Sequence, residues 1–354
     1  IVNPTTLEGV SVMSGSHSPS IPPGDALMQL IIGKWLTKAI GAVCTFDIPT
    51  LLKDGPRNSH ELAMLAGVHP GALFRVLRAL SSVGVFVETE PRHFALSPVG
   101  ELLRSDRPDS LRGFAMMLND DWHWKCWGAF DESVRTGGTT VESVLGYDNI
   151  FDYFADDRES GEWFDTAMTS LASQLSAAVA DAFDYSGFKR IVDIGGGHGG
   201  LLTTILEKNP GLHGVVFDLP HVVEGAHEAL AKVNLADRCD AVGGDFFESV
   251  PGGGDAYIMS HIIHDWDDER SITILSNIHH AMDPDGRVLV VDCVIPPGND
   301  PHPGKWLDLE MLTLPGGMER SEAEFRSLFE AAGFHLERIV PTQAPESIIE
   351  GRRV

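Results

Sequence analysis

Cysteine is scarce in this chain: four residues in 354, at Cys44, Cys126, Cys239 and Cys293. They are scattered, with neither the spacing of a zinc site nor the density of a disulfide framework, which suits a reducing compartment. Positive charge is scarce as well. Lys and Arg number 26 against 51 Asp and Glu, giving a formal net charge of −25. So acidic a chain is repelled by phosphate backbones and anionic lipid, and neither nucleic acid nor a membrane surface is expected as a partner. No uninterrupted apolar run reaches the ~20 residues that span a bilayer. The first basic residue is Lys34, so no charged segment opens a signal peptide, and a cytoplasmic location is expected.

What is present is enough for a sizeable core, with 43% hydrophobic and 22% charged residues. The length exceeds one average domain, and the pattern divides it further. Residues 1–24, rich in Ser, Pro and Gly, read as a mobile arm. Residues 25–110 read as a small helical domain, 111–187 as a helical linker and substrate-pocket region, and 188–354 as an α/β domain. Asp25 to Cys44 is apolar on most sides, through Leu27, Met28, Leu30, Ile31, Ile32, Trp35, Leu36, Ile40 and Val43. A helix apolar all round needs cover on all sides, and a second subunit is the expected cover.

Ser59–Ala66, with Ser59 as N-cap, and Pro70–Val83 read as helices joined by a turn at Gly67. A hairpin from Val85–Val87 and His93–Leu96 follows, completing a winged-helix pattern. Its functional reading is DNA binding; its plainer reading is a packing or dimerisation module. From Lys53 to Arg107 seven bases meet six acids, which is no basic face and favours dimerisation. Leu111 to Thr136 reads as helical and carries Trp122, Trp124 and Trp127, which would serve either as core or as the wall of an aromatic-substrate pocket. A long helix is expected over Glu162–Phe183.

From Phe188 onward strands alternate with helices, the pattern of a doubly wound, mostly parallel sheet. The segment Arg190–Pro220 organises it. Ile191-Val192-Asp193-Ile194 reads as a buried strand, Gly195 to Gly200 as a tight turn, Leu201 to Lys208 as a helix, and Gly214 to Phe217 as a second strand ending at Asp218. Ligands of such sheets sit beyond the carboxyl ends of the strands. An acid after the second strand can accept the hydroxyls of a ribose. A third strand, Cys239–Val242, is followed by Gly244-Asp245-Phe246-Phe247, where a carboxylate and a ring suit an adenine. A fourth, Ala256–Ser260, leads to His261-Ile262-Ile263-His264-Asp265-Trp266. Helices are expected over Asp268–Met282 and Ser321–Ala332, the latter with a capping box of Ser321 and Glu324. Between them lies the apolar strand Arg287–Val294, which contains Asp292. Phe334–Val340 and Ser347–Arg353 read as a closing hairpin.

His264 is the candidate proton acceptor. A free histidine titrates near ~6.5, and a carboxylate on one ring nitrogen leaves the other as base. Asp292 and Glu319 are the candidate carboxylates. The same residue types also ligate metals, but no His-x-x-x-His pair or Asp-rich cluster stands near His264, and a metal is not expected.

A glycine loop alone would fit a dinucleotide, whose pyrophosphate sits at the helix start. The run Asp193-Ile194-Gly195-Gly196-Gly197-His198-Gly199-Gly200 resembles instead the first motif of S-adenosylmethionine (SAM)-dependent methyltransferases. Together with Asp218-Leu219-Pro220, Gly244-Asp245-Phe246-Phe247, His264-Asp265-Trp266 and Pro315-Gly316-Gly317-Met318-Glu319-Arg320-Ser321, it is very similar to the plant caffeate/flavonoid-type O-methyltransferases, and closer to their bacterial natural-product relatives. The resemblance runs from about Asp25 to Val354. It implies a Rossmann-like methyltransferase sheet behind a winged-helix-like dimerisation domain, a homodimer, SAM as donor with S-adenosyl-L-homocysteine (SAH) as product, and no metal.

Carried over by position, the base falls on His264 and its orienting acids on Asp292 and Glu319. Cofactor contacts fall on Asp193, Gly195, Gly197, Asp218, Leu219, Gly244, Asp245, Phe246 and Ser260. Acceptor contacts are expected from Trp122, Trp124, Met168, His261, Asp265 and Met311. Two positions depart from the family: the first orienting acid is the shorter Asp292 where Glu is common, and Ser260 stands where Lys is common. The expected acceptor is a phenolic or enolic hydroxyl of a small aromatic or polyketide-like molecule. The alternatives are a SAM-binding relative that decarboxylates or hydroxylates, and a winged-helix ligand-responsive regulator.

Overall fold

A computed structural model describes residues 22–354, the side chains of Ser173 and Gln174 excepted. The expected N-terminal arm lies almost wholly outside the described residues, and the first helix already begins at Pro23. Two compact units interleave along the chain. One holds the N-terminal part to Trp124 together with Asp157–Leu171; the other holds Lys125–Asp156 and Ala172–Val354.

In the first unit, the single helix expected over Asp25–Cys44 is two, Pro23–Ile31 and Gly33–Thr45, bent by 41°. The break at Ile32 precedes Gly33, a poor helix former. Leu27, Met28, Leu30, Ile31 and Trp35 lie 57–77% exposed, an apolar stripe with no cover among the described residues. No single described helix is long and apolar enough to cross a membrane.

The helices Ser59–Ala66 and Pro70–Ser81 form as expected, but the cap of the first is Asn58. Asn58 accepts the His60 N–H at 2.9 Å, while Ser59 is buried inside the helix. Two good capping residues in succession left that choice to tertiary packing. The hairpin is β2 (Phe86–Glu90) with β3 (His93–Leu96), and the two-residue β1 (Arg57–Asn58), too short to show a period, adds to β3. The wing is thus a three-stranded antiparallel sheet over a core of Leu62, Leu73, Leu77, Phe86 and Phe94. The stretch expected as one helix over Leu111–Thr136 is three: Arg112–Met117, Asp121–Gly128 and Phe130–Thr136. At the first break the Asn119 amide donates to the carbonyls of Ala115 and Thr37, tying the helix end to the helix Gly33–Thr45.

The second unit is built on seven strands: β4 (Arg190–Ile194), β5 (His213–Asp218), β6 (Cys239–Gly243), β7 (Ala256–Ser260), β8 (Arg287–Cys293), β9 (Phe334–Pro341) and β10 (Glu346–Arg353). Their order is β6-β5-β4-β7-β8-β10-β9. The first five are parallel; β10 lies antiparallel between β8 and β9. Alternate residues feed separate cores on the two faces: Ile191, Val216, Leu289 and Ile348 on one, Val192, Val215, Val290 and Ile349 on the other. Burial on both faces is why these strands read as continuous apolar runs. The winding reverses between β4 and β7, and the carboxyl ends on either side of that point carry the candidate site.

Candidate active site

The turn after β4 is shaped by left-handed glycines. Gly195 and Gly197 have φ of 67° and 56°, which side chains other than glycine rarely adopt. A Cβ on Gly195 would meet Ile262 at 2.3 Å, whereas above Gly197 the space is open. The Gly195 N–H donates to the Phe217 carbonyl at 2.8 Å, closing the loop onto β5. Asp218, at the end of β5, accepts the Gly197 N–H through Oδ2 at 2.8 Å and the Leu219 N–H through Oδ1 at 2.7 Å. Its remaining lone pairs are left for a ligand.

After β6, the Gly244 N–H donates to the Asp218 carbonyl at 2.9 Å, and Asp245 Oδ1 accepts from the Phe247 N–H at 2.8 Å. Phe246 and Phe247 both lie edge-on to Trp266, with centroids 6.2 and 4.8 Å away. Asp193 is buried beneath the loop, and burial, then the nearby Asp218, pushes its carboxyl up to about 8. Gly195, Gly197, Asp218, Leu219, Gly244, Asp245 and Phe246 thus share the carboxyl end of β4–β6, and Ser260 ends β7 beside them.

Beyond β7 the chain makes a 3-10 turn, Ile263–Asp265, that buries His264. His264 Nδ1 lies 2.6 Å from Glu319 Oε1 and 4.0 Å from Asp292 Oδ1. Glu319 is therefore the direct partner. Asp292, one methylene shorter than the residue common at its position, stops outside hydrogen-bond range. On the other side of the ring, Nε2 is 3.6 Å from Asp265 Oδ1.

Burial dominates the electrostatics here. It lowers the proton affinity of His264 and raises that of the acids, Glu319 to about 8 and Asp292 and Asp265 each to about 6. Both Asp292 oxygens and Glu319 Oε2 find no hydrogen-bond partner among the described residues. Among the described residues, no group of three or more His, Cys, Asp or Glu side chains is placed to hold a metal ion.

The loop that delivers Glu319 is fastened to the His264 turn by residues whose roles sequence reasoning missed. Arg320 is 1% exposed and donates to the carbonyls of Ile263 (3.0 Å) and Trp266 (2.9 Å) and to Asp268 (2.8 Å). The Met318 N–H donates to the His264 carbonyl at 2.9 Å, and Asp308 accepts the Glu319 N–H at 2.9 Å. Gly317 makes this approach possible, since a Cβ there would stand 2.0 Å from the His264 carbonyl oxygen. Arg320 and Gly317 lie inside the Pro315–Ser321 motif, but nothing in the sequence tells their bonds.

The expected acceptor residues divide between the units. Met311 is buried on the helix Gly304–Thr313 of the second unit, where His261 and Asp265 flank His264. Trp122, Trp124 and Met168 belong to the first. There Trp122 is 2% exposed, Lys38 Nζ stands 4.8 Å from the centre of the Trp124 ring, and Met168 is half-buried. Trp127 belongs to the second unit, donating to Glu310 at 2.6 Å.

The O-methyltransferase domain family matches residues 127–335 and the O-methyltransferase dimerisation domain family residues 28–106. A phenazine O-methyltransferase from Lysobacter antibioticus is 43% identical over 339 residues, covering 96% of this chain and 99% of the relative. A mitomycin biosynthesis 6-O-methyltransferase from Streptomyces lavendulae is 38% identical over 334 residues, covering 93% and 94%. CalO1, a methyltransferase in calicheamicin biosynthesis solved in its SAH-bound form, superposes with a TM-score of 0.84 at 34% identity, covering 94% of this chain and 98% of that one. An open glycine cradle with a carboxylate after the neighbouring strand fits the donor these enzymes use. The chain is an enzyme and belongs to the SAM-dependent O-methyltransferase family.

Proposed function

We propose that the protein methylates a phenolic or enolic hydroxyl on a small aromatic or polyketide-like natural product, with His264 as general base and without a metal ion. The observation that carries this reading is the 2.6 Å contact between His264 Nδ1 and Glu319 Oε1 at a buried turn beside the glycine loop. The acceptor class is supported by the relatives named for phenazine and mitomycin substrates. When bound, SAM supplies an electrophilic methyl group. Asp193, Gly195, Gly197, Asp218, Leu219, Gly244, Asp245, Phe246 and Ser260 would hold it.

In this mechanism Glu319 accepts a hydrogen bond from Nδ1–H, which leaves Nε2 bare to take the hydroxyl proton of the acceptor. A phenol ionises near ~10, so a positioned base is needed at neutral pH. Asp292 and Glu319 offset the positive charge that develops on the ring. The base-competent form keeps the proton shared between Nδ1 and Glu319 and appears when the pair gives up the second proton that it binds at lower pH, and the apparent pKa belongs to the pair. Burial keeps competing water away from the proton transfer.

The exposed stripe of Met28, Leu30, Ile31 and Trp35 inside the matched dimerisation domain, with Leu27 just before it, supports a homodimer. A cytoplasmic location is supported by four buried cysteines with no disulfide. The test is a screen of aromatic and polyketide hydroxyl compounds for a mass gain of one methyl, followed by His264→Ala on the best acceptor. Turnover should fall about 10²–10⁴-fold, and by less for more acidic acceptors. Near-unchanged turnover on a weakly acidic hydroxyl would remove His264 from the chemistry. Activity lost to a chelator and restored by a divalent ion would replace the base with a metal.

A further inference from the structure

His264 is not the only histidine in the buried cluster. Three residues earlier, His261 stacks on it with ring centroids 5.0 Å apart and planes 24° from parallel. His261 Nε2 contacts Glu346 Oε1 of β10 at 3.2 Å. Its backbone has a φ of 55°, a conformation that side chains other than Gly, Asn and Asp rarely take, while its N–H is spent on the Val291 carbonyl at 3.1 Å. The chain thus adopts a disfavoured backbone at the position that lays one imidazole over the other. Both members of the second pair are largely buried, with side chains 27% and 14% exposed.

We propose that His261 and Glu346 form a positioning pair that stacks a charge-paired ring on His264 and tunes the pH at which the Glu319–His264 pair becomes a base. This rests on the general-base reading of His264.

The groups around His261 come from four elements: Glu346 on β10, Asp292 on β8, His264 and Asp265 in the 3-10 turn, and Glu319 on the loop before the helix Glu322–Ala331. Burial opposes a charge on His261, but the Glu346 hydrogen bond and then the Asp292 carboxylate outweigh it, and its proton affinity rises. The cation disfavours a second proton on His264 and favours the ionised form of Glu319, while Glu346 acts on both in the opposite sense. The adjacent ring has the larger influence on each, so the His261–Glu346 pair as a whole favours loss of the second proton from the Glu319–His264 pair. Neither residue touches the reacting atoms in this account.

The test is a set of three variants. His261→Asn keeps a residue that tolerates the left-handed backbone. Glu346→Gln keeps the hydrogen-bonding shape but removes the charge that holds His261 protonated. The third combines both. The first readout is the His264 ring titration by NMR in the enzyme without acceptor; the second is the pH dependence of kcat. His261→Asn should move the His264 midpoint and the ascending limb of kcat to higher pH, by on the order of half to one pH unit. Glu346→Gln should move both less, since it removes opposing charges together, and the double variant should match Glu346→Gln. Unmoved midpoints, movement to lower pH, or equal loss of kcat at every pH in all three variants would overturn the proposal. The titration does not depend on catalysis. If His264→Ala is fully active while the midpoints shift as ordered, the general-base reading fails and the coupling between the two pairs stands.

Discussion

The two halves of the sheet's carboxyl edge use acidic residues in opposite ways. On the β4–β6 side, Asp218 and Asp245 accept from backbone N–H groups, those of Gly197 in the neighbouring glycine loop and of Leu219 and Phe247 in their own. On the β7–β8 side, Asp292 and Glu319 are buried, with three of their four oxygens lacking a donor among the described residues and a ring nitrogen on the fourth. An acid bonded by backbone amides fixes a loop and presents its spare lone pairs. An acid buried without donors raises its proton affinity and becomes a proton store. In the proposed function one half of the sheet edge binds the donor and the other handles the proton, and the difference is made by amide placement, since both use acidic residues.

Substitutions in the two halves should therefore fail in different ways, and the largest effect is expected on the proton-handling side. Glu319→Gln should cut kcat by at least tenfold while SAM affinity, measured by calorimetry, stays within a factor of about two. Asp218→Ala should do the reverse, weakening SAM binding by about 1.5–3 kcal/mol, the usual worth of a hydrogen bond to a charged group. If both variants lost affinity equally, the division into halves would be wrong.

Asp193 tests the boundary, because it sits in the binding half but is buried like the acids of the other. Its carboxyl is raised to about 8, as is that of Glu319, from an unfolded value near ~4. Groups raised in this way bind protons on folding. Their stabilisation is complete below the unfolded value and is lost as pH rises through the folded one. His264, shifted down, has the opposite sign, but acts only below the usual histidine range. Between pH ~6.5 and ~9 the unfolding midpoint of the unliganded protein should fall, and Asp193→Asn should flatten that fall. An equal slope in the variant would show that Asp193 is not a proton store. The smallest effect lies outside both halves: Asn58→Ala should cost about 1 kcal/mol of stability, as for other lost N-caps, where Ser59→Ala removes no cap.

The binding half was legible from sequence because it is local. Strand, glycine turn, helix and terminal acid follow one another within Arg190–Pro220, and each leaves a pattern. Asp245 and the capping box of Ser321 and Glu324 were legible for the same reason, and the capping box is present in the fold. The proton-handling half is assembled from distant segments. Sequence could nominate Asp292 and Glu319 beside His264, but it could not rank them, because a one-methylene difference in reach is decided by where β8 and the 315–321 loop stand. Glu346 left no signal, being one acid among many, and is joined to His261 only by strand pairing. In the N-terminal unit the apolar run was legible and its break at Ile32 was not, since a helix end set by a single glycine is a small perturbation on a strong period.

The place of β10 in the sheet has a consequence for the chain as it is made. This strand is later in sequence than β9, yet it lies between β9 and β8. At about 5–20 residues per second, the turn bearing His264 and the loop bearing Glu319 are synthesised several seconds before Glu346–Arg353 is available. During that interval β8 presents an open edge of seven residues, Arg287–Cys293, most of them apolar, to any other extended chain. The segment that later supplies Glu346 to His261 is also the one that seals this edge, so a nascent molecule passes from aggregation-prone to protected in the same step that completes its histidine cluster.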